Sequence, residues 1–215
     1  MQYEELNKYL PEAFGETVNT LLFTTKNLTQ QRWLITSALA GEGKTISAIG
    51  IASTMALRNK KILLIDVNLH NPSISKRYGF GAPGGLKEVL QKGWELNQVL
   101  HEVREIKNLF VLGAGEGNVE PYELLNGKSM GKFLNKIQHL FDFIIIDSPA
   151  LEVALDTLLI VPHVEGCIMV VQSEKTGRRA VLKARNQIEE AGGKLLGVIF
   201  NREKEIIPKI FHRWL

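Results

Sequence analysis

The 215 residues, 45% hydrophobic and 23% charged, suffice for one α/β domain with a sizeable core and are too apolar for a disordered chain. A formal net charge of +3 is too small to indicate a nucleic-acid partner, but it is uneven: residues 175–215 carry ten Lys/Arg against four Glu, which leaves the rest net acidic. The single cysteine, Cys167, excludes an internal disulfide and fits a reducing compartment; no apolar run approaches the ~20 residues of a membrane span, and the start carries no signal-peptide pattern.

Residues 1–30 predict a helical lead-in. Apolar positions recur at helical spacing around Phe14, Val18, Leu21 and Leu22, with Pro11 near the start, and the segment is expected to cover one side of a sheet. Residues 32–36 then read as a buried strand. After it the chain turns through Ser37-Ala38-Leu39-Ala40-Gly41-Glu42-Gly43 into Lys44-Thr45-Ile46 and a helical pattern reaching about residue 58. Strand, glycine loop and helix in this order form a phosphate-binding loop. Gly41 and Gly43 let the backbone bend and turn N–H groups toward a phosphate, and the helix start adds its own. Lys44 would reach the β- and γ-phosphates and the Thr45 hydroxyl would ligate Mg²⁺. Ala38 stands where the general motif has its first glycine.

Residues 61–66 are a short apolar run ending in Asp66, as in strands buried on both faces, and ligands bind beyond the carboxyl ends of such strands. A loop with a short helix follows to residue 78, then a helical segment at 86–91 and a strand at 108–112. The glycine-rich stretch 113–118 lacks a following Gly-Lys-Thr and reads as a flexible loop near the site. Helices are expected at 121–125 and 130–140. Residues 141–147 end four apolar residues and a strand at Asp147, the form of a Walker B element, whose aspartate holds a magnesium water shell opposite Thr45. Beyond it the pattern predicts a helix at 151–161, a strand at 166–171 containing Cys167, a basic helix at 176–191 closed by Gly192-Gly193, and a last strand at 195–200 ending at Asn201. Residues 206–215, apolar and basic, would cap the core or touch a membrane surface. The chain thus divides into a lead-in (1–30), a nucleotide-binding domain (31–201) and a tail (202–215), with a mostly parallel sheet flanked by helices on both faces, the P-loop NTPase fold.

These motifs resemble the cytoplasmic domain of the bacterial tyrosine kinases that control capsule and exopolysaccharide synthesis, members of the deviant-Walker P-loop ATPases. The resemblance runs from about residue 12 to 201. It rests on Ser37 and Gly41 to Thr45, on Asp66 to Pro72, on Phe141 to Pro149, on Pro121-Tyr122-Glu123-Leu124-Leu125, on Lys175-Thr176, and on Gly197 to Asn201. It implies ATP and Mg²⁺ as cofactors, with Gly41, Glu42, Gly43, Lys44, Thr45 and Ile46 around the phosphates. Thr45, Asp66 and Asp147 would stand at the metal, Lys44, Asp66 and Asp147 would be the catalytic groups, and Asn201 would meet the adenine. It also implies a membrane polysaccharide synthesis or export protein as partner, and a cytoplasmic location at the inner face of the plasma membrane.

Four departures shape the expectation. Asn68 replaces the second aspartate of the family's D-x-D element, and His70 replaces its arginine. The assembly motif E-x-x-R-x-x-R reads Glu12…Gly15…Val18, without either arginine, and no tyrosine follows Asn201. A monomer or small oligomer that does not phosphorylate its own tail is therefore predicted. Three readings stand open: an ATP-binding regulator that hydrolyses MgATP, an active tyrosine kinase acting on another chain, and a non-catalytic nucleotide sensor.

Overall fold

The computed structural model describes residues 9–26, 32–80, 84–117, 119–126 and 128–203; the tail read at 206–215 lies outside them. Apolar runs too continuous for a half-exposed strand become the inner strands of one sheet, β1 (Arg32–Ser37), β2 (Ile62–Asp66), β4 (Leu109–Leu112), β5 (Phe143–Asp147) and β6 (Gly166–Gln172), with β3 (Leu100–Glu102) and β7 (Leu195–Asn201) at the two edges. Their order is β3-β4-β2-β5-β1-β6-β7. All neighbours pair in parallel except β3, which runs antiparallel to β4 at the edge.

Successive residues of the central strands face two separate cores, which is why no polar residue interrupts them. Leu34, Leu63, Ile65, Ile144 and Ile146 point to one core, shared with α4 (Leu86–Lys92), α5 (Pro121–Leu125), α6 (Lys128–Ile137), α7 (Thr157–Ile160) and α8 (Arg178–Glu190). Trp33, Ile35, Ile62, Leu64 and Ile145 point to the other. That face is covered by α2 (Lys44–Leu57) and, outside it, α1 (Gly15–Thr25), with the short α3 (Ile74–Arg77) at one end. Cys167 is buried in β6, and burial pushes its thiol up to about 12, so it packs rather than reacts.

The lead-in covers the sheet through α2. Phe14 lies against Gly50, where a Cβ would overlap its ring. Arg58 donates to the Asn19 side chain at 2.7 Å and to the Gly15 carbonyl at 3.0 Å. Val18, where the kinase family has an arginine, is fully buried in the core. An arginine there would have to be buried without a partner, so the valine and the docked helix go together.

Two expectations change, and one strand is new. Residues 151–161 do not form one helix: the Leu151 and Glu152 N–H groups donate to the carbonyls of Ser37 and Ala38 at 2.9 and 3.2 Å, and only Thr157–Ile160 is helical, followed by a 3₁₀ turn. Just beyond these two residues the segment closes only a turn, with the Val153 and Ala154 N–H groups donating to the Ala150 carbonyl at 2.9 and 3.0 Å. The glycine-rich loop is tied down, with Leu86 N–H donating to Gly113 O at 2.8 Å and Lys87 Nζ to Gly117 O at 2.5 Å. β3 was not legible at all, being three residues whose pairing partner supplies its order.

Because Gly50 lets Phe14 approach, Gly50→Val is expected to lower stability by about 1–3 kcal/mol, the usual cost of overpacking. The loss should shrink when Phe14→Ala is combined with it. Urea unfolding of the single and double variants checks this, and strictly additive losses would contradict the contact.

Candidate functional site

The ends of β2, β5 and β1 are adjacent, so the three sequence elements read as phosphate chemistry meet at one edge of the sheet. Beyond β1 the loop has Gly41 at φ 78° and Gly43 at φ 95°, the left-handed backbone that glycine accepts without strain. α2 then starts at Lys44 with no side-chain cap on its first turn. Its leading N–H groups and the positive end of its dipole are left for an anion. Lys44, Thr45 and Ile46 are half-buried on that turn.

Glu42 is where the structure adds most to the sequence reading. Its carboxylate is buried and turned into the protein. One oxygen accepts the Leu39 N–H at 2.7 Å; the other accepts the Gln172 N–H at 3.2 Å and the hydroxyl of Thr176. The loop is thereby fastened to the end of β6. Its other side is held by Asn201, whose amide donates to the Glu42 carbonyl at 2.8 Å. The same amide occupies the space that a Cβ on Gly43 would need. Thr176 and Gln172 were not singled out as site residues. The sequence signals for Thr176 were its place in the Lys175-Thr176 pair that carries part of the resemblance and its position at the start of the predicted basic helix.

Asp66 and Asp147 stand opposite each other in the register of β2 and β5, both fully buried. Their surroundings differ. Asp66 Oδ1 accepts the Asn68 N–H at 3.0 Å, and Oδ2 accepts those of Ser73 at 3.0 Å and Ile74 at 3.1 Å. Neither oxygen of Asp147 has a hydrogen-bond partner. Burial foremost, then the neighbouring Asp66, pushes the Asp147 carboxyl up to about 8; the Thr45 hydroxyl, outside bonding geometry, and the charges of Lys44 and Arg77 oppose the shift. Burial also raises Asp66, against its three N–H donors and Lys44.

Two orphaned buried oxygens beside a second carboxylate and a helix-start hydroxyl fit a hard cation. Among the described residues no cluster of three or more His, Cys, Asp or Glu forms a metal cage. Mg²⁺ suits such a sparse site, because it keeps several waters and binds through one or two carboxylates plus phosphate oxygens. The departing residues are engaged locally: Asn68 Oδ1 accepts the Asn71 N–H at 3.2 Å, and His70 Nε2 lies 2.8 Å from Asp156 Oδ2.

Residues 34–195 match the AAA domain family. Tyrosine-protein kinase CpsD of Streptococcus agalactiae is 32% identical over 174 residues, covering 80% of this chain and 76% of CpsD. The chain belongs to the bacterial tyrosine-protein kinase family. The VpsO kinase domain superposes with a TM-score of 0.83 at 28% identity, covering 92% of this chain and 96% of that domain. The Pyrococcus furiosus cell division ATPase MinD, at TM-score 0.69 and 22% identity over 85% of this chain and 77% of MinD, shares the P-loop fold. For a member of this family the fold implies nucleotide binding with Mg²⁺. No helix among the described residues is long and apolar enough to cross a membrane.

The raised carboxyls give a pH prediction. The folded protein keeps a proton on this pair that the unfolded chain releases from about pH 4 upward, since the ordinary aspartate value is 3.8. The stability this contributes is complete below that value and is lost as pH rises toward about 8. The thermal midpoint of metal-free, nucleotide-free protein is expected to fall between pH 6 and pH 8, and to fall less in Asp147→Asn. Parallel profiles for the two proteins would contradict the assignment.

Proposed function

We propose that this chain binds MgATP and regulates a membrane protein of polysaccharide synthesis or export, acting at the inner face of the plasma membrane. The observation that carries the reading is the uncapped start of α2 facing a buried aspartate with no partner. The nucleotide-binding unit would be residues 31–201. Lys44 and the N–H groups from Gly41 to Ile46 would hold the phosphates, and Thr45, Asp66 and Asp147 would hold the cation. When bound, Mg²⁺ supplies charge neutralisation on the phosphates.

The protein's own share is positioning and a fixed field, which cost little reorganisation because Glu42 and Asn201 already hold the loop. Asp66 would act chiefly by its charge and by holding residues 68–74, since its oxygens already accept three N–H groups; water orientation is its remaining part. Asn201, packed on Gly43, would place the end of β7 toward the adenine.

Hydrolysis and regulation are the leading reading because the family's means of mutual phosphorylation are altered here. Val18 is buried where an arginine would project, and Gly15 offers only a carbonyl to Arg58. A monomer or small oligomer follows. Kinase activity on another chain is the second reading, favoured by membership of the family. Incubation with γ-labelled MgATP separates the two: label released as phosphate supports the first, and label transferred to protein supports the second. Nucleotide retained unreacted would mean a sensor.

Lys44→Ala is expected to weaken MgATP binding by about 2–3 kcal/mol, the scale of a lost charge-assisted hydrogen bond. Calorimetry showing unchanged affinity would remove the phosphate-loop reading. Asn68→Asp keeps an acceptor for the Asn71 N–H and adds the missing charge beside Asp66. It is expected to raise Mg²⁺-dependent phosphate release; a flat rate across a magnesium titration would show that residue 68 does not limit turnover.

A further inference from the structure

A second concave site lies on the face of the sheet that α4 and α6 cover, toward the β3–β4 edge. It is a cavity of about 700 Å³, within the range of about 300–1,000 Å³ that small-molecule sites take. Its lining is mostly apolar. Phe110 and Phe141 meet edge to face at 5.7 Å between ring centres, and Phe133, Leu96, Leu100 and Trp94 join them. The cavity reaches Lys61 and Phe141, just before β2 and β5, whereas the phosphate loop follows the carboxyl end of β1.

The charged groups at the rim are predominantly cationic. Lys61, Lys132 and Lys136 are all exposed there, with Glu95 as the one carboxylate among the lining residues. Glu95 lies 3.4 Å from Lys136. Lys61 and Lys132 have no carboxylate within ion-pair distance among the described residues. The nearby Asp142 accepts the main-chain N–H of Lys61 at 2.7 Å instead. The Lys61 ammonium lies 5.5 Å from the centre of the Phe110 ring and 5.3 Å from that of Phe141, at the border between cation and apolar lining.

We propose that this cavity binds a single-chain anionic amphiphile, its alkyl body on Phe110, Phe141 and Leu100 and its acidic head between Lys61 and Lys132. An apolar interior gains from any alkyl chain by the area it removes from water. Two unpaired ammonium groups on the same rim make the preference specific to an anion, because they gain a partner that the protein does not supply. A neutral amphiphile would leave them as they are, and a cationic one would be repelled. The site is separate from the nucleotide site and does not rest on the reading of that site.

Dodecyl phosphate below its micelle concentration is the probe, measured by calorimetry and by the fluorescence of Trp94, with Trp94→Phe as the optical control. Saturable binding at one site is expected, at least about tenfold tighter than dodecyl maltoside. Inorganic phosphate should not compete. The Lys61→Glu/Lys132→Glu variant, altered only at exposed positions, should lose at least about tenfold in affinity for dodecyl phosphate while keeping MgATP affinity and the weak maltoside binding. Leu140→Asp, at a half-exposed lining position, should weaken both amphiphiles. No saturable binding to the wild-type protein, equal affinity for the two amphiphiles, or unchanged affinity after charge reversal would each overturn the proposal.

Discussion

Asp66 and Asp147 are neighbours in a parallel register at the buried end of the sheet, and two carboxylates so placed cannot both ionise without compensation. The structure compensates only one of them. Asp66 collects three main-chain N–H groups from the segment after β2, which orders that segment and makes Asp66 a fixed part of the fold. Asp147 collects none, and only the nearby Thr45 hydroxyl and the charges of Lys44 and Arg77 favour its ionised form. The protein alone therefore leaves one strongly perturbed acid facing the glycine loop. A cation would complete that arrangement, and the phosphates at the start of α2 would complete the cation.

The loop has to be stiff for this to work, and its stiffness comes from residues remote in sequence. Glu42 joins it to Gln172 and Thr176 beyond β6, and Asn201 closes on it from β7. Ser37 and Ala38 receive the N–H groups of Leu151 and Glu152 from the segment after β5. Strands on both sides of β1 thus brace the same few residues. The changed positions of this family member lie outside the brace. Asn68 and His70 make their bonds to Asn71 and Asp156, which leaves the bracing of the loop untouched.

Much of this was legible in the chain, for reasons of periodicity. Strands buried on both faces appear as unbroken apolar runs, and those ending in Asp66 and Asp147 could be read because a carboxylate after such a run is an abrupt change. The convergence of the two with Ser37 then follows from parallel topology. What stayed hidden depends on contacts that have no local signature. Glu42 appeared to be a loop residue next to phosphate, and only the positions of Gln172 and Thr176, some 130 residues away, show that its side chain serves as an anchor. The segment 151–161 has helical spacing, yet its first two N–H groups go to the carbonyls of Ser37 and Ala38. β3 arises from residues 100–102, a stretch too short and irregular to place without its partner strand, and the cavity beside it gathers side chains from segments as far apart as Lys61, Trp94 and Phe141.

The central claim is that Asp147 is left unpartnered for a cation that arrives with nucleotide. It is tested most directly by calorimetric ATP affinity with and without Mg²⁺, in the wild-type protein and in Asp147→Asn. The account predicts that Mg²⁺ tightens ATP binding to the wild-type protein by at least about tenfold, a coupling of ~1.4 kcal/mol, and that most of this coupling disappears in the variant. Equal magnesium coupling in the two proteins would show that the buried carboxylate serves the fold alone.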